Sequence, residues 1–289
     1  MNKIELLAPA GSFESLIAAV ESGADAIYLG GTKFSARAFA NNFDNETIQS
    51  AVRYAHVRGV KVYVTINTLI ADEEIKDAID FLYFLYNSDI DAVIVQDWAI
   101  VKLMNRMLPD FHLHCSTQMT IHDVYGAIFY KNIGAKRVVL ARELSLKQVD
   151  FIAENVNIET EVFVHGALCV CVSGQCLMSS LIGGRSGNRG MCAQPCRRSY
   201  SMISLDNQNN ELINDRFLLS TRDLNTFNKL DHIAKSKITS IKIEGRMKKP
   251  EYVAVVVNNY RQRINAIEGN EVSKEMQEGY KELKSIFNR

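Results

Sequence analysis

The sequence lacks long apolar runs and an excess of charge of either sign. No uninterrupted apolar segment approaches the roughly 18 residues that a membrane-spanning helix needs, and Met1 to Ala8 lack the basic and apolar regions of a secretory signal. Lys plus Arg and Asp plus Glu number 33 each, so no net field attracts the protein to a membrane or to nucleic acid. We therefore expect a cytoplasmic protein with no membrane partner, in which any nucleic-acid surface is a local basic patch.

Several motifs of common enzyme classes are also missing. No G-x-G-x-x-G follows a predicted strand, which removes the usual dinucleotide fingerprint, and neither H-E-x-x-H nor G-x-S-x-G occurs. A Cys/His pair brought together only by folding stays open. The 289 residues, 47% hydrophobic and 23% charged with 4 Pro, have the composition of an ordinary globular enzyme.

Short β-rich apolar runs alternate with amphipathic segments along most of the chain. The eight predicted strands are Ile4–Leu7, Ala26–Leu29, Lys61–Ile66, Ala92–Val95, His112–Cys115, Arg137–Leu140, Thr160–Val164 and Ser240–Ile243. The predicted helices are Phe13–Ser22, Asn45–Arg58, Glu73–Asn87, Trp98–Met107, Ile121–Ile133 and Leu146–Asn155. This alternation indicates parallel strands joined by right-handed crossovers. Eight such units predict a single α/β domain over residues 1–289 with a (β/α)₈ TIM-barrel-like fold.

Polar residues or glycines follow nearly every predicted strand, at the barrel face where active sites lie. Asp97, Ser116 and Thr117 are equally well explained as turn and N-cap residues. Turn chemistry does not explain the long charged side chains at these positions, which we take as candidate catalytic residues: Arg142, Glu143, Lys242, Glu244 and Arg246. Salt bridges from the cations to Glu143 and Glu244 are an equally good reading of their spacing.

The rhythm breaks between the seventh and eighth predicted strands. About 75 residues separate Val164 from Ser240, and long insertions of this kind are usually functional. We predict a cysteine-rich subdomain at residues 166–235, inserted on the catalytic face. It contains a glycine-rich run, Gly183–Gly190, and a predicted hairpin of Tyr200–Leu205 and Glu211–Leu219 turned at Asp206–Asn210.

Five of the six cysteines lie in this insertion. In a reducing cytosol such a cluster favours metal binding over disulfides. Cys169, Cys176, Cys192 and Cys196 are separated by six, fifteen and three residues, which suits an iron–sulfur cluster somewhat better than the tight C-x₂-C pairs of a zinc ribbon. Cys171 is either a substitute ligand or a bystander. Cys115, alone after a strand, is expected to be a small buried apolar residue.

The chain resembles the collagenase-like peptidase family over essentially its whole length. The matching stretches are Leu6–Gly11, Gly23–Ala26 with Gly30 and Gly31, Val139–Glu143, Glu161–Cys169, Gly174–Ser179, Asn188–Arg197 and Ile241–Arg246. The resemblance implies more than proteolysis, since characterised members hydroxylate tRNA uridine, a 23S rRNA cytidine or ubiquinone precursors. Those members carry a 4Fe-4S cluster on four cysteines, and several need prephenate.

The resemblance implies that Cys169, Cys176, Cys192 and Cys196 bind the cluster. In some members one ligand follows a Lys-Asp-Leu motif, but here Asn225 follows Arg222-Asp223-Leu224. Cys196 therefore takes the fourth position, with Cys171 as the alternative. Family chains usually continue beyond the point where this one stops, so the chain is either truncated or a short member.

The predicted function is hydroxylation of RNA, with the tRNA wobble uridine as the first candidate and rRNA or a small aromatic as alternatives. Arg142, Lys242 and Arg246 would bind the two carboxylates of prephenate, and His165, Glu143 and Glu244 complete the candidate catalytic set. The cations expected to meet the RNA backbone are Arg185, Arg189, Arg197, Arg198, Lys248 and Lys249. A collagenase-like peptidase remains an alternative. So does a non-catalytic subunit that works with a protein partner of the same family.

Overall fold

Eight parallel strands close into a barrel in the computed structural model, which describes residues 4–204, 211–269 and 276–286. The barrel strands are β1 (Glu5–Pro9), β2 (Ala26–Gly30), β3 (Lys61–Ile66), β4 (Ala92–Val95), β5 (Leu113–Cys115), β6 (Arg137–Val139), β7 (Glu159–Gly166) and β11 (Ser240–Ile243). Neighbours pair in this order, and β11 closes the ring by pairing with both β7 and β1. The predicted barrel and all eight predicted strands are confirmed.

Helices surround the barrel and follow its strands in sequence. They are α1 (Phe13–Glu21), α2 (Asn45–His56), α3 (Ile75–Asn87), α4 (Trp98–Met107), α5 (Val124–Asn132), α6 (Leu146–Asn155), α8 (Leu230–Lys235), α9 (Pro250–Glu268) and α10 (Met276–Ile286). Helix α5 begins three residues later than predicted because Asp123 caps it, accepting a hydrogen bond from the Gly126 amide. Asp97 likewise caps α4, which confirms the turn interpretation of that residue. Within the described residues, no helix is both long enough and apolar enough to cross a bilayer.

The insertion between β7 and β11 holds little regular structure in its described part. It contains the short helix α7 (Met178–Gly183), an antiparallel pair β8 (Tyr200–Ile203) and β9 (Glu211–Arg216), and β10 (Leu224–Asn225), which pairs with the end of β7. The pairing of β8 with β9 confirms the predicted hairpin, although both strands are shorter than expected. The predicted turn at Asp206–Asn210 lies outside the described residues.

A buried charge network fills the lower interior of the barrel, where apolar layers are the usual content. The Arg137 guanidinium, only 4% exposed, donates to the carboxylates of Glu5, Glu159 and Glu161. Glu161 in turn accepts a hydrogen bond of 2.9 Å from Lys242. Buried charges are tolerated only when paired in this way. Lys242 therefore belongs to this buried network and also lies at the base of a cavity above it.

Candidate active site at the mouth of the barrel

A cavity of about 370 Å³ lies between the carboxyl ends of the barrel strands and the insertion. Its size falls within the roughly 300–1,000 Å³ that is usual for small-molecule sites. Residues from both parts line it, among them Tyr28, Arg37, Phe39, Arg142, Phe163, Cys169, Cys176, Cys192, Cys196, Lys242, Glu244 and Arg246. The insertion thus covers the barrel face on which the sequence placed the candidate residues.

Lys242 and two aromatic rings form the floor of the cavity. Lys242 lies on β11 and faces the barrel interior, so that its ammonium group is 4.3 Å from the centre of the Tyr28 ring and 5.6 Å from that of Phe163. Glu161, fully buried beneath it, supplies the counter-charge. The surrounding Lys242 and Arg137 charges outweigh the effect of burial, which would raise the pKa of Glu161, and hold that pKa below its ordinary value.

Glu244 lies among several cations on the wall of the cavity. Its carboxylate is 3.2 Å from the Arg37 guanidinium. Burial alone would raise the pKa of Glu244, but the charges of Arg37, Arg246, Arg142 and Lys242 bring it below its usual value. Glu244 is therefore ionised, and the wall keeps a surplus of positive charge.

Arg246 is buried and held in a fixed position on the same wall. Its guanidinium donates to the hydroxyls of Ser35 at 2.7 Å and Thr65 at 3.0 Å. Burial, reinforced by the neighbouring charge of Arg37, lowers the pKa of Arg246 to about 10. Gly30 makes room for this arrangement, since a Cβ atom there would overlap Ser35 and approach the Arg246 guanidinium to 2.5 Å. Arg246 still carries its charge at neutral pH, ready to attract an anion.

The sequence spacing allowed salt bridges from the predicted cations to Glu143 and Glu244, but the ion pairs on this face are different. Glu244 pairs with Arg37, and Lys242 pairs with Glu161. Arg142 lines the cavity, with its guanidinium 5.8 Å from the centre of the Phe163 ring. Arg142, Lys242, Glu244 and Arg246 are thus brought together around one space.

Glu143 points away from that space and fastens the insertion. Its carboxylate accepts hydrogen bonds from the Ser173 amide at 2.7 Å and the Ser173 hydroxyl at 2.9 Å. Ser173 is buried and has a positive φ of 44°, a conformation that needs such support. The structure therefore places Glu143 at the attachment of a loop and outside the residues that line the cavity.

His165 also lies apart from the cavity, although it was predicted beside the others. A shift of register between β7 and β11 at this point turns the ring outward, because a bulge re-aims the side chains that follow it. The ring packs against Tyr252 and Tyr260. Burial, aided by the charge of Lys248, lowers the pKa of His165 to about 4. The structure does not bring His165 together with the candidate site.

The four predicted cysteine ligands all line the cavity. Backbone amides of Met178 and Gln194 point at the sulfurs of Cys176 and Cys192, at 3.4 and 3.3 Å, and such hydrogen bonds stabilise thiolates in iron–sulfur sites. In the described part of the chain, no group of three or more His, Cys, Asp or Glu is placed to hold a single metal ion. Four thiols around one cavity are the type and number of donors that a 4Fe-4S cluster uses.

The two remaining cysteines are not among the residues that line the cavity. Cys115 is fully buried in the barrel core, where burial raises its thiol pKa to about 12. It is therefore the buried apolar residue that the sequence predicted. Cys171 is half-buried, and burial followed by the neighbouring Cys176 and Cys169 raises its pKa. Cys171 thus lies near two of the candidate ligands.

The insertion is fixed to the barrel by an arginine that the sequence assigned to RNA. Arg189 forms a two-pronged ion pair with Glu74, at 2.6 and 2.7 Å, and this pair lowers the pKa of Glu74 to about 2. Next to it, Gly190 has a φ of 80°, and a Cβ atom there would overlap the Ser35 carbonyl. Close approach at this glycine explains how the insertion lies directly on the loop after β2.

Two of the six predicted RNA-contacting cations, Arg189 and Arg197, are half-buried and bonded to other parts of the protein. Besides Arg189, Arg197 donates to the Leu168 and Thr221 carbonyls, both at 2.6 Å, and to the Ser220 hydroxyl. Arg185, Arg198 and Lys249 are exposed, and Lys248 is half-buried. The predicted basic patch is therefore smaller than its sequence suggested.

Sequence reasoning did not assign roles to several residues that shape the cavity. Arg37 sits in a loop and gives no periodic signal. Glu161 did give a signal in the sequence. A carboxylate in the middle of an apolar strand is expected to be buried, and a buried carboxylate needs a cation as its partner. Tyr28 and Phe163 looked like ordinary strand residues.

A closed parallel barrel with its cavity at the carboxyl ends of the strands defines a TIM-barrel-like α/β protein with a candidate active site. The model of Peptidase family U32 matches residues 11–289. The chain belongs to this family, as the sequence motifs predicted. A solved structure titled the U32 peptidase Mk0906 has the same fold, with a TM-score of 0.55 at 15% identity over 84% of this chain and 93% of that one.

Curated relatives carry names of two kinds. The chain is 39% identical over 269 residues to tRNA hydroxylation protein P1 of Bacillus subtilis (strain 168), covering 92% of this chain and 64% of that protein. It is 40% identical over 266 residues to 23S rRNA 5-hydroxycytidine C2501 synthase of Escherichia coli (strain K12), covering 92% and 40%. It is 36% identical over 303 residues to a protein named Collagenase of Porphyromonas gingivalis (strain ATCC BAA-308 / W83), covering 100% and 72%. The chain thus spans less than two thirds of the first two.

Proposed function

We propose that this chain is an iron–sulfur protein that hydroxylates RNA, converting the wobble uridine of tRNA to 5-hydroxyuridine with prephenate as co-substrate. The observation that carries the proposal is the meeting of four cysteines and a cation-rich wall around one cavity. Relatives at 39% and 40% identity are named for hydroxylation of tRNA and of 23S rRNA. Their names support RNA as the substrate class.

Cys169, Cys176, Cys192 and Cys196 would hold a 4Fe-4S cluster. When bound, such a cluster supplies one-electron redox chemistry. The Met178 and Gln194 amides orient two of the thiolates. Arg37, Arg142 and Arg246 add positive charge around the same space.

The cations of the wall would bind and orient the carboxylates of prephenate. Of the described residues that line the cavity, only Glu244 carries a carboxylate, so the charges of Arg37, Arg142 and Arg246 are not fully balanced there. Guanidinium groups bind carboxylates through paired hydrogen bonds. Lys242, which is paired with Glu161, would donate a hydrogen bond to an oxygen of the substrate from below. These groups fix the small molecule and exclude water from it.

The RNA base would have to leave its stack to enter the cavity, as base-modifying enzymes generally require. Exposed Arg185, with Arg198 and Lys249, would contact the phosphates of the flanking nucleotides. The mouth between the insertion and the loop after β2 is then the entry for the base.

Proteolysis has weaker support at the level of side chains. Its basis is the family name and the relative called Collagenase. A thiol protease needs a base beside its cysteine, and the ring of His165 packs against two tyrosines away from the cavity lining. We therefore keep proteolysis as an outcome of the test.

The test is a strain that lacks the gene, complemented with the wild type, Arg142→Gln or Arg106→Gln. Nucleosides from tRNA and from rRNA are compared by mass spectrometry. We expect a hydroxyuridine-derived nucleoside of tRNA to disappear on deletion, to return with the wild type and to stay absent with Arg142→Gln. Arg106→Gln, the same change at an exposed position of α4 outside the cavity lining, should restore most of it. Nucleosides unchanged on deletion in both RNA pools would contradict the proposal.

A further inference from the structure

We propose that Phe39 and Arg185 form a stacking platform at the mouth of the cavity that holds a nucleobase of the RNA next to the base that enters. This inference rests on the proposed function, since it names how the same site grips an RNA. Phe39 lies in the loop after β2 and Arg185 in the glycine-rich run of the insertion. The platform therefore joins the barrel to the insertion across the entry.

Phe39 combines two properties that seldom occur together. It lines the cavity, and its side chain is 57% exposed. The loop that carries it is well fixed, since the Asn42 amide group donates to the Arg37 carbonyl at 3.0 Å and the Ala38 amide donates to Gly190 at 3.2 Å. A large aromatic ring is thus held in contact with solvent at the edge of the candidate site.

Arg185 lies over the ring of Phe39, which nevertheless remains 57% exposed. Its guanidinium carbon lies 4.7 Å from the ring centre, within the range of a cation–π contact, and its Nε atom donates to the Met191 carbonyl at 3.2 Å. Because Phe39 keeps this exposure beside the guanidinium, accessible ring surface remains at the mouth of the cavity. A planar group can stack there.

A nucleobase suits this platform better than a peptide side chain. Splayed RNA bases stack on aromatic rings and on guanidinium planes, and each such stack contributes about 1–3 kcal/mol to single-strand binding. The charge of Arg185 also favours the phosphates on either side of the base. A flat apolar face beside a cation is therefore complementary to a nucleotide in both shape and charge.

The experiment measures binding of an unmodified anticodon stem-loop RNA that carries 2-aminopurine next to the wobble uridine. Its fluorescence falls when the base stacks on a ring. We expect wild-type protein and Phe39→Trp to quench the signal, and Phe39→Leu to abolish the quenching and weaken binding about 10-fold. Arg185→Gln should weaken binding and also reduce its salt dependence, because a charge is lost. Phe151→Leu, an exposed ring on α6, is the matched control and should behave as the wild type.

The outcomes separate the inference from the function on which it rests. Wild-type affinity and quenching in Phe39→Leu, from a protein that otherwise binds and modifies the RNA, would overturn the platform alone. Failure of the wild type to bind the RNA would overturn the proposed function and the platform with it. Binding of a gelatin peptide that depends on Phe39, without RNA binding, would assign the surface to a peptide and also overturn the proposal. Circular dichroism and iron content of each variant confirm that the change is local.

Discussion

The Lys242 ammonium lies 2.9 Å from the Glu161 carboxylate, and both side chains are almost completely buried. Glu161 also accepts a hydrogen bond of 3.1 Å from Arg137, so the pair belongs to the network that fills the barrel below the cavity. A buried charge is costly once its partner is removed. The position of the lysine in the candidate site therefore depends on a carboxylate that is not among the residues lining the cavity.

We expect Glu161→Gln to lower the free energy of unfolding by about 3 kcal/mol, because it leaves two buried cations short of a counter-charge. Adding Lys242→Met should recover part of the loss, so that the double variant loses less than the sum of the single ones. Urea unfolding measures each value. Lys33→Met, which breaks an exposed pair with Asp77, is the control and should change stability by less than about 1 kcal/mol. Additive losses from the two buried changes would contradict this account.

His165 makes stability depend on pH in a predictable direction. Its pKa is lowered from 6.5 to about 4 by burial, so between these values the unfolded chain binds a proton that the folded chain does not. Stability therefore rises with pH from about 4 to about 6.5 and is fully present above that window. The lowered pKa of His165 contributes roughly 3 kcal/mol to the free energy of unfolding above this window.

The test compares unfolding of the wild type and His165→Phe across pH 4 to 8. The variant should lose less stability than the wild type as the pH falls. His122→Phe, which alters an exposed ring, should follow the wild-type curve. Because the His165 ring is not in the cavity lining, we also expect the RNA product to persist in His165→Phe at pH 8. Loss of product with unchanged stability would restore the catalytic role that the sequence suggested.

The cluster ligands are tested by iron and sulfide analysis. Anaerobically purified protein should be brown and contain about four iron and four sulfide per chain. Cys169→Ala, Cys176→Ala, Cys192→Ala and Cys196→Ala should each lose most of the iron. Cys115→Ala should keep it, because that thiol lies in the barrel core. Retention of iron in Cys196→Ala together with loss in Cys171→Ala would reassign the fourth ligand, and stoichiometric zinc without iron would refute the cluster.

Attachment of the insertion is tested at two glycines with similar backbone conformations. Gly190 and Gly184 have φ values of 80° and 66°, but a Cβ atom at Gly184 meets nothing within 4 Å whereas one at Gly190 overlaps Ser35. Both alanine variants bear the roughly 1–2 kcal/mol cost of a left-handed residue. Only Gly190→Ala should also speed limited proteolysis within residues 166–235 and reduce iron retention. Equal cleavage rates in the two variants would show that this contact does not hold the insertion.

The sequence predicted the barrel because each strand is a short apolar run between amphipathic helices, a pattern that local chemistry determines. Four of the six predicted catalytic candidates, Arg142, Lys242, Glu244 and Arg246, line the cavity, since the ends of parallel strands converge. The prediction failed where a single contact decides the direction of a side chain. A bulge turns His165 outward. Glu143 accepts a hydrogen bond from Ser173 in the strained loop and does not line the cavity.

The sequence also could not predict contacts between residues that are far apart in the chain. Arg37 and Glu244 form an ion pair although 207 positions separate them in the chain. No periodic pattern in the sequence predicts such a contact. Spacing alone predicted that Arg189 and Arg197 belong to a basic surface. It does not reveal that Arg189 pairs with Glu74 or that Arg197 donates to the Thr221 carbonyl. The sequence singled out the cysteines because few roles in a reducing compartment require so many thiols close together, and the four predicted ligands line the cavity.

The central claim is tested most directly with the purified, anaerobically reconstituted single chain. The protein is incubated with tRNA from the deletion strain and a reductant, with and without prephenate, and the tRNA nucleosides are analysed by mass spectrometry. We predict that uridine at the wobble position gains one oxygen atom only when prephenate is present, and that Cys176→Ala forms none of this product. Cleavage of gelatin by the same preparation, lost in Cys176→Ala and accompanied by unchanged tRNA and rRNA nucleosides, would contradict the account.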